Sequence, residues 1–88
     1  VDIDWEFPGT CGFNPSCGAS AADTPNFTGL MQEFRSQLDA LGATTHKSYV
    51  LTFASPAGEA NFSKIELNKV RRYVNFINLL CYDLYGAW

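Results

Sequence analysis

Positive charge is scarce in this 88-residue sequence, with six Lys and Arg against nine Asp and Glu and a net charge of -3. The only basic cluster is Lys69, Arg71 and Arg72, which reads as a solvated helix end, so a nucleic-acid partner is excluded on charge. No stretch approaches the roughly 20 consecutive apolar residues needed to cross a membrane as a helix. No Cys-x-x-Cys pair occurs, and the single histidine, His46, stands alone in a polar turn, so metal ligation has no motif to rest on. A glycine-rich phosphate turn is missing after the first apolar run, which speaks against a dinucleotide fold. Cysteine is limited to Cys11, Cys17 and Cys81. Cys11 and Cys17 bracket a short Gly/Pro/Ser/Asn loop; the spacing permits a loop-closing disulfide, and two free thiols fit it as well. The opening Val1-Asp2-Ile3-Asp4 reads as mid-strand and the sequence stops abruptly at Trp88, so both ends read as cuts within a longer domain.

What is present is a globular composition, 47% hydrophobic and 15% aromatic. Val1 to Trp5 alternates apolar and acidic residues, the period of a strand with unlike faces. Pro8 and Gly9 end it, and a long loop follows over residues 9–23. Asp23 or Thr24 then caps a helix with Pro25 in its first turn. Phe27, Leu30, Met31, Phe34, Leu38 and Leu41 make its apolar stripe, and Gly42 fits just past its end. Ser48 to Ser55 suits a buried strand, broken by Pro56-Ala57-Gly58. Ser63 and Glu66 match a capping box for a helix from about Lys64 to Arg72. Val74 to Tyr82 is a third apolar strand. The order strand, helix, strand, helix, strand implies an α/β fold with parallel strands; pattern alone does not separate a barrel segment from a doubly wound sheet.

The chemistry gathers on the first strand. Asp2, Asp4 and Glu6 fall on one face, successive ones about 6.6 Å apart at a rise of roughly 3.3 Å per residue. Val1, Ile3 and Trp5 fill the other face, where helices can cover them, so Trp5 reads as packing. Three like charges in a row repel, and a proton shared among them, which relieves the repulsion, can be passed to a leaving group. Glu6 lies nearest the C-terminal end of the strand, the end at which parallel barrels keep their active sites. A solvated acidic edge strand would show the same alternation.

The segment Val-Asp-Ile-Asp-Trp-Glu-Phe-Pro at residues 1–8 resembles the signature of glycoside hydrolase family 18 chitinases. That signature runs Asp, two residues, Asp, one residue, Asp, one residue, Glu. Asp2, Asp4 and Glu6 match its last three acids; the first would precede Val1. Leu51-Thr52-Phe53-Ala54-Ser55 is similar to the family's next barrel strand, and Ile77-Asn78-Leu79-Leu80-Cys81-Tyr82-Asp83 to the one after it, with Leu80 where methionine is usual. Gly86-Ala87-Trp88 fits the segment that follows.

The resemblance implies a fragment of a TIM (β/α)8 barrel, about its fourth to sixth strands, with residues 1–88 a partial catalytic domain truncated at both ends. The implied reaction is retaining hydrolysis of β-1,4 bonds between N-acetylglucosamine units, with the substrate's own acetamido oxygen as nucleophile. Glu6 would be the acid and base, Asp4 would orient the acetamido group, and Asp2 would trade a proton with Asp4. Tyr82 and Asp83 would bind the acetamido group and sugar, and Trp88 could stack on a sugar or pack in the core. No cofactor or metal is implied. The partner would be chitin or N-acetylglucosamine oligomers, with no nucleic acid and no membrane, and the parent a secreted monomer. A chitin-binding lectin on the same fold, which usually lacks the glutamate, and an endo-β-N-acetylglucosaminidase acting on N-glycans are the rival readings.

Overall fold

A computed structural model describes residues 1–12 and 15–81. Three parallel strands, β1 (Asp2–Ile3), β2 (Thr52–Pro56) and β3 (Phe76–Leu80), form one sheet in the order β1-β2-β3. Helix α1 (Asp23–Thr45) connects β1 to β2; two single turns, α2 (Glu59–Phe62) and α3 (Leu67–Val70), connect β2 to β3. The register sets Asp2 beside Thr52 and Thr52 beside Phe76, and ends with Pro56 beside Leu80. The central strand has neighbours on both sides, and all five of its residues are buried.

The core lies between one sheet face and the helices. Phe27 and Met31 of α1, Phe53 of the central strand and Leu51 just before it, and Ile65 and Val70 of the second crossover are buried together. Phe27 stands between two other rings, its centroid 6.0 Å from Trp5 and 5.1 Å from Phe53, both contacts tilted or edge-on as ring quadrupoles prefer. Trp5 therefore packs, as its place in the alternation implies.

The stripe on α1 is narrower than the six residues suggest. Phe27 and Met31 are buried and Phe34 and Leu38 partly so, whereas Leu30 and Leu41 are 38% and 48% exposed. At roughly 100° per residue, Leu30 is turned about 70° from the centre of the set Phe27, Met31, Phe34 and Leu38. Nor does Gly42 stop the helix. The helix runs on to Thr45 and ends at His46, which takes the left-handed conformation (φ 58, ψ 40), and Lys47 N–H returns to the Gly42 carbonyl at 3.1 Å. Gly42 is needed for the close return of the chain: a Cβ there would lie 2.4 Å from the Lys47 carbonyl oxygen.

The other departures have equally local causes. The expected strand start at Ser48 slips to Thr52 because the buried residue just before it, Leu51, is paired by a side chain. Asn75 donates its own N–H to the Leu51 carbonyl (2.7 Å) and accepts the Leu51 N–H on Oδ1 (2.8 Å). Pro56 does not break β2 but ends it, where its missing N–H costs least. The expected helix Lys64–Arg72 shortens to the single turn α3, with the separate turn α2 before it, and the capping box does not form. Ser63 Oγ turns back to the Ala60 carbonyl, while the Glu66 carboxylate accepts the Thr28 hydroxyl of α1 at 2.8 Å and pairs with Lys69 at 2.7 Å. Bonds from Lys69 first, then Thr28, hold the Glu66 carboxyl below its usual range. Glu66 ties the second crossover to α1 rather than boxing its own helix.

Candidate active site

Burial along the first strand alternates as the sequence pattern requires: Asp2, Asp4 and Glu6 are exposed, while Ile3 and Trp5 pack against the core. The alternation outlasts the ladder, which stops at Ile3. The three acids thus share the sheet side away from the helices. Asp2 sits at the register position of Thr52, whose hydroxyl donates to Asp2 Oδ1 at 2.6 Å. Thr52 is buried and polar, and sequence reasoning assigned it no role; the signal was the parallel register, which sets it beside Asp2.

Beyond Glu6 the chain turns sharply. The Glu6–Phe7 peptide is cis, Pro8 is buried, and Gly9 has φ 76. Thr10 N–H bonds the Phe7 carbonyl at 3.2 Å, closing the turn. Cys11 and Cys17 are joined as a disulfide with Cα atoms 5.8 Å apart, which settles the alternative left open above. Tyr82, Asp83 and Trp88 lie outside the described residues. The end of β3 that leads toward them is the same end of the sheet to which β1 brings Asp4 and Glu6, since the strands are parallel.

The opposite end of the sheet has a different character. There a surface groove is lined by Arg35, Asp39, Lys47, Tyr49, Arg72 and Asn75 among others, and by none of the three acids. Arg35 donates to Asn75 Oδ1 (3.1 Å) and the Tyr49 carbonyl (2.9 Å) and pairs with Asp39 (2.9 Å). Its groups clasp α1, the approach to β2 and the approach to β3. That end holds the elements together; Asp4 and Glu6 follow the last paired residue of β1, toward the other end.

The family model for glycosyl hydrolases family 18 matches residues 1–88, the whole chain. The chain belongs to glycoside hydrolase family 18. It is 44% identical over 88 residues to "Chitinase A" of Pseudoalteromonas piscicida, covering all of this chain and 11% of that protein. Among solved structures it resembles chitinase ChiA74 from Bacillus thuringiensis, with a TM-score of 0.91 and 39% identity over 100% of this chain and 14% of that one. It also resembles a family 18 N-acetylglucosaminidase from Paenibacillus barengoltzii, with a TM-score of 0.88 and 36% identity over 100% of this chain and 25% of that one. This family 18 chain therefore spans a small part of the length of the relatives it matches.

Proposed function

We propose that this chain is part of the catalytic domain of a chitinase, and that its strands are about the fourth to sixth of a (β/α)8 barrel. The parent would hydrolyse β-1,4 bonds between N-acetylglucosamine units of chitin with retention. The observation that carries this reading is the exposed row Asp2, Asp4, Glu6 at the end of β1, in a chain matched over its full length by the family. Relatives named chitinases support the substrate class.

Each acid has a distinct task in this reading. Glu6, last in the row and nearest the open end of the sheet, protonates the glycosidic oxygen and then takes a proton from the incoming water. The attacking atom is the substrate's own acetamido oxygen, which closes an oxazolinium ring on the anomeric carbon as the glycosidic bond breaks; water reopens that ring. Asp4 accepts the acetamido N–H, which aims the oxygen and offsets the positive charge that develops on the ring. Asp2, with Oδ1 held by Thr52, has Oδ2 to trade a proton with Asp4. Tyr82 and Asp83 bind the acetamido carbonyl and the sugar, and Trp88 stacks on a sugar face. The reaction calls for no metal or organic cofactor. The parent is read as a secreted monomer.

The similarity to an N-acetylglucosaminidase supports a second reading, in which the same acid acts on N-acetylglucosaminides other than chitin. A panel of chitin oligomers and N-glycans separates the two. The acid itself is tested by Glu6→Gln in the full-length parent. The isosteric amide cannot deliver a proton, so folding and chitin binding are kept while turnover falls about a hundredfold to ten-thousandfold. Turnover of chitin oligomers within threefold of wild type would refute the assignment.

A further inference from the structure

The loop that follows Glu6 is held at both ends by one oxygen atom. Asp23 Oδ2 accepts the backbone N–H of Gly9 at 3.1 Å and that of Ser20 at 3.1 Å. Gly9 lies three residues after Glu6, and Asp23 opens the 23-residue helix α1, whose Phe27 and Met31 are in the core. The Cys11–Cys17 bridge lies between the two anchored amides. An acid at a helix start ordinarily satisfies its own helix's first amides. Asp23 makes no such cap here, and Ala22 before it has no side-chain cap either. Its carboxylate is spent on the loop.

The fit around this anchor is close. A Cβ on Gly9 would lie 3.2 Å from Lys64 Cβ, and the φ of 76 there is one that side chains rarely adopt. A Cβ on Gly12 would lie 2.8 Å from the Glu6 carbonyl oxygen, so the loop folds back onto the backbone of Glu6 itself. Glu6 lies three residues beyond Ile3, the last residue of β1 paired with β2 among the described residues. What fixes its backbone from the C-terminal side is this loop, and what fixes the loop to the rigid part of the molecule is Asp23.

We propose that Asp23 is a positioning residue for Glu6: it pins the loop after the acid to the start of α1, and so sets where the carboxyl stands. The proposal rests on the reading of Glu6 as the acid. Misplacing a reacting group by about 1 Å can cost on the order of a hundredfold in rate. The charge of Asp23 is secondary; the place of its oxygen is what counts.

The test compares Asp23→Glu and Asp23→Asn in the full-length parent, with Glu6→Gln alongside, on a soluble chitin oligomer. Asp23→Glu keeps the charge but moves the oxygen by one methylene, about 1.5 Å. Its kcat is expected to fall tenfold to a hundredfold with KM within threefold, and the alkaline limb of its pH–rate profile to shift. Asp23→Asn leaves an oxygen where both amides can reach it, and is expected to keep at least a third of the wild-type kcat and the wild-type profile. Should Asp23→Glu not fold, Asp23→Ser replaces it: serine can start the helix but does not reach Gly9, and the same loss of kcat is expected. A kcat within twofold of wild type for the folded Glu or Ser variant, with Glu6→Gln inactive, overturns the proposal and leaves the acid assignment standing. An Asn variant that loses as much kcat as the Glu variant also overturns it. An active Glu6→Gln would instead remove the reading on which it stands.

Discussion

Replacing Asn75 by alanine tests whether a side chain can stand in for a strand. Asn75 Oδ1 accepts the Leu51 N–H at 2.8 Å and an Arg35 N–H at 3.1 Å. Leu51 is fully buried, so without Asn75 its N–H has no water to turn to. An unsatisfied buried donor costs about 1–3 kcal/mol, and a hydrogen bond to a charged group contributes about 1.5–3 kcal/mol net. The Arg35 bond is exposed and Arg35 keeps Tyr49 and Asp39, so the low end applies to it. Together these give a loss of roughly 2.5–4.5 kcal/mol for Asn75→Ala. Asn75→Asp keeps the accepting oxygen and adds an ion pair with Arg35, so it should stay within about 1 kcal/mol of wild type. Urea unfolding of the full-length parent, followed by circular dichroism, reads both through the midpoint at unchanged slope. An alanine variant within about 0.5 kcal/mol of wild type, the range of an ordinary surface substitution, would refute the reasoning. So would an aspartate variant as damaged as the alanine one.

Because the substrate's acetamido group makes the attack, oligomers of plain glucose should go uncleaved by the parent and a thiazoline analogue of the oxazolinium ion should inhibit it; efficient cleavage of cello-oligomers would point to a conventional pair of carboxylates. The Glu66 carboxyl, held low by Lys69 and Thr28, contributes stability that is present above its usual range near 4.5 and is lost as pH falls through its folded value. Glu66→Gln should therefore flatten the acid side of the parent's stability profile and leave no extra loss below it; an unchanged acid limb in urea titrations would contradict this. The 88 residues made alone should be inactive and poorly folded, since three strands leave β1 and β3 with unpaired edges and expose the acid face. Sharp amide dispersion with cooperative melting of the isolated chain would overturn that expectation.

The strand order and the acid row were legible because period-two alternation over Asp2 to Glu6 and the solid apolar run through Phe53 can be satisfied in few other ways. Elements whose ends depend on distant partners were not legible. Glycine at 42 fits a helix stop by propensity, yet the stop is made by His46 and the glycine serves a chain crossing five residues on. Ser63 and Glu66 have the spacing of a capping box, but Thr28, 38 residues from Glu66 in sequence, takes the carboxylate. Thr52 looked like one more strand residue until the register set it against Asp2. Asp23 was read correctly as lying at the helix start and incompletely as to purpose, because its carboxylate accepts the N–H of Gly9 across a loop that sequence spacing does not fold.

These misses share a direction. Local pattern carries information about residues that bury apolar area, since that need is the same wherever the neighbour comes from. It carries little about polar side chains, whose energy depends on one partner at one distance. In this chain polar contacts of that kind divide between the two ends of the sheet. At the N-terminal end, Arg35 and Asn75 join α1 to the approaches of β2 and β3. Thr52, the first residue of β2, holds Asp2 beside that group, and at the C-terminal end Asp23 holds the loop beyond Glu6. Substitution at the first end should therefore be felt as stability with kcat per folded molecule unchanged. Substitution at the second should be felt as rate with stability nearly unchanged. In a parallel α/β architecture, that separation lets the acid end be altered for chemistry while the other end keeps the strands in register.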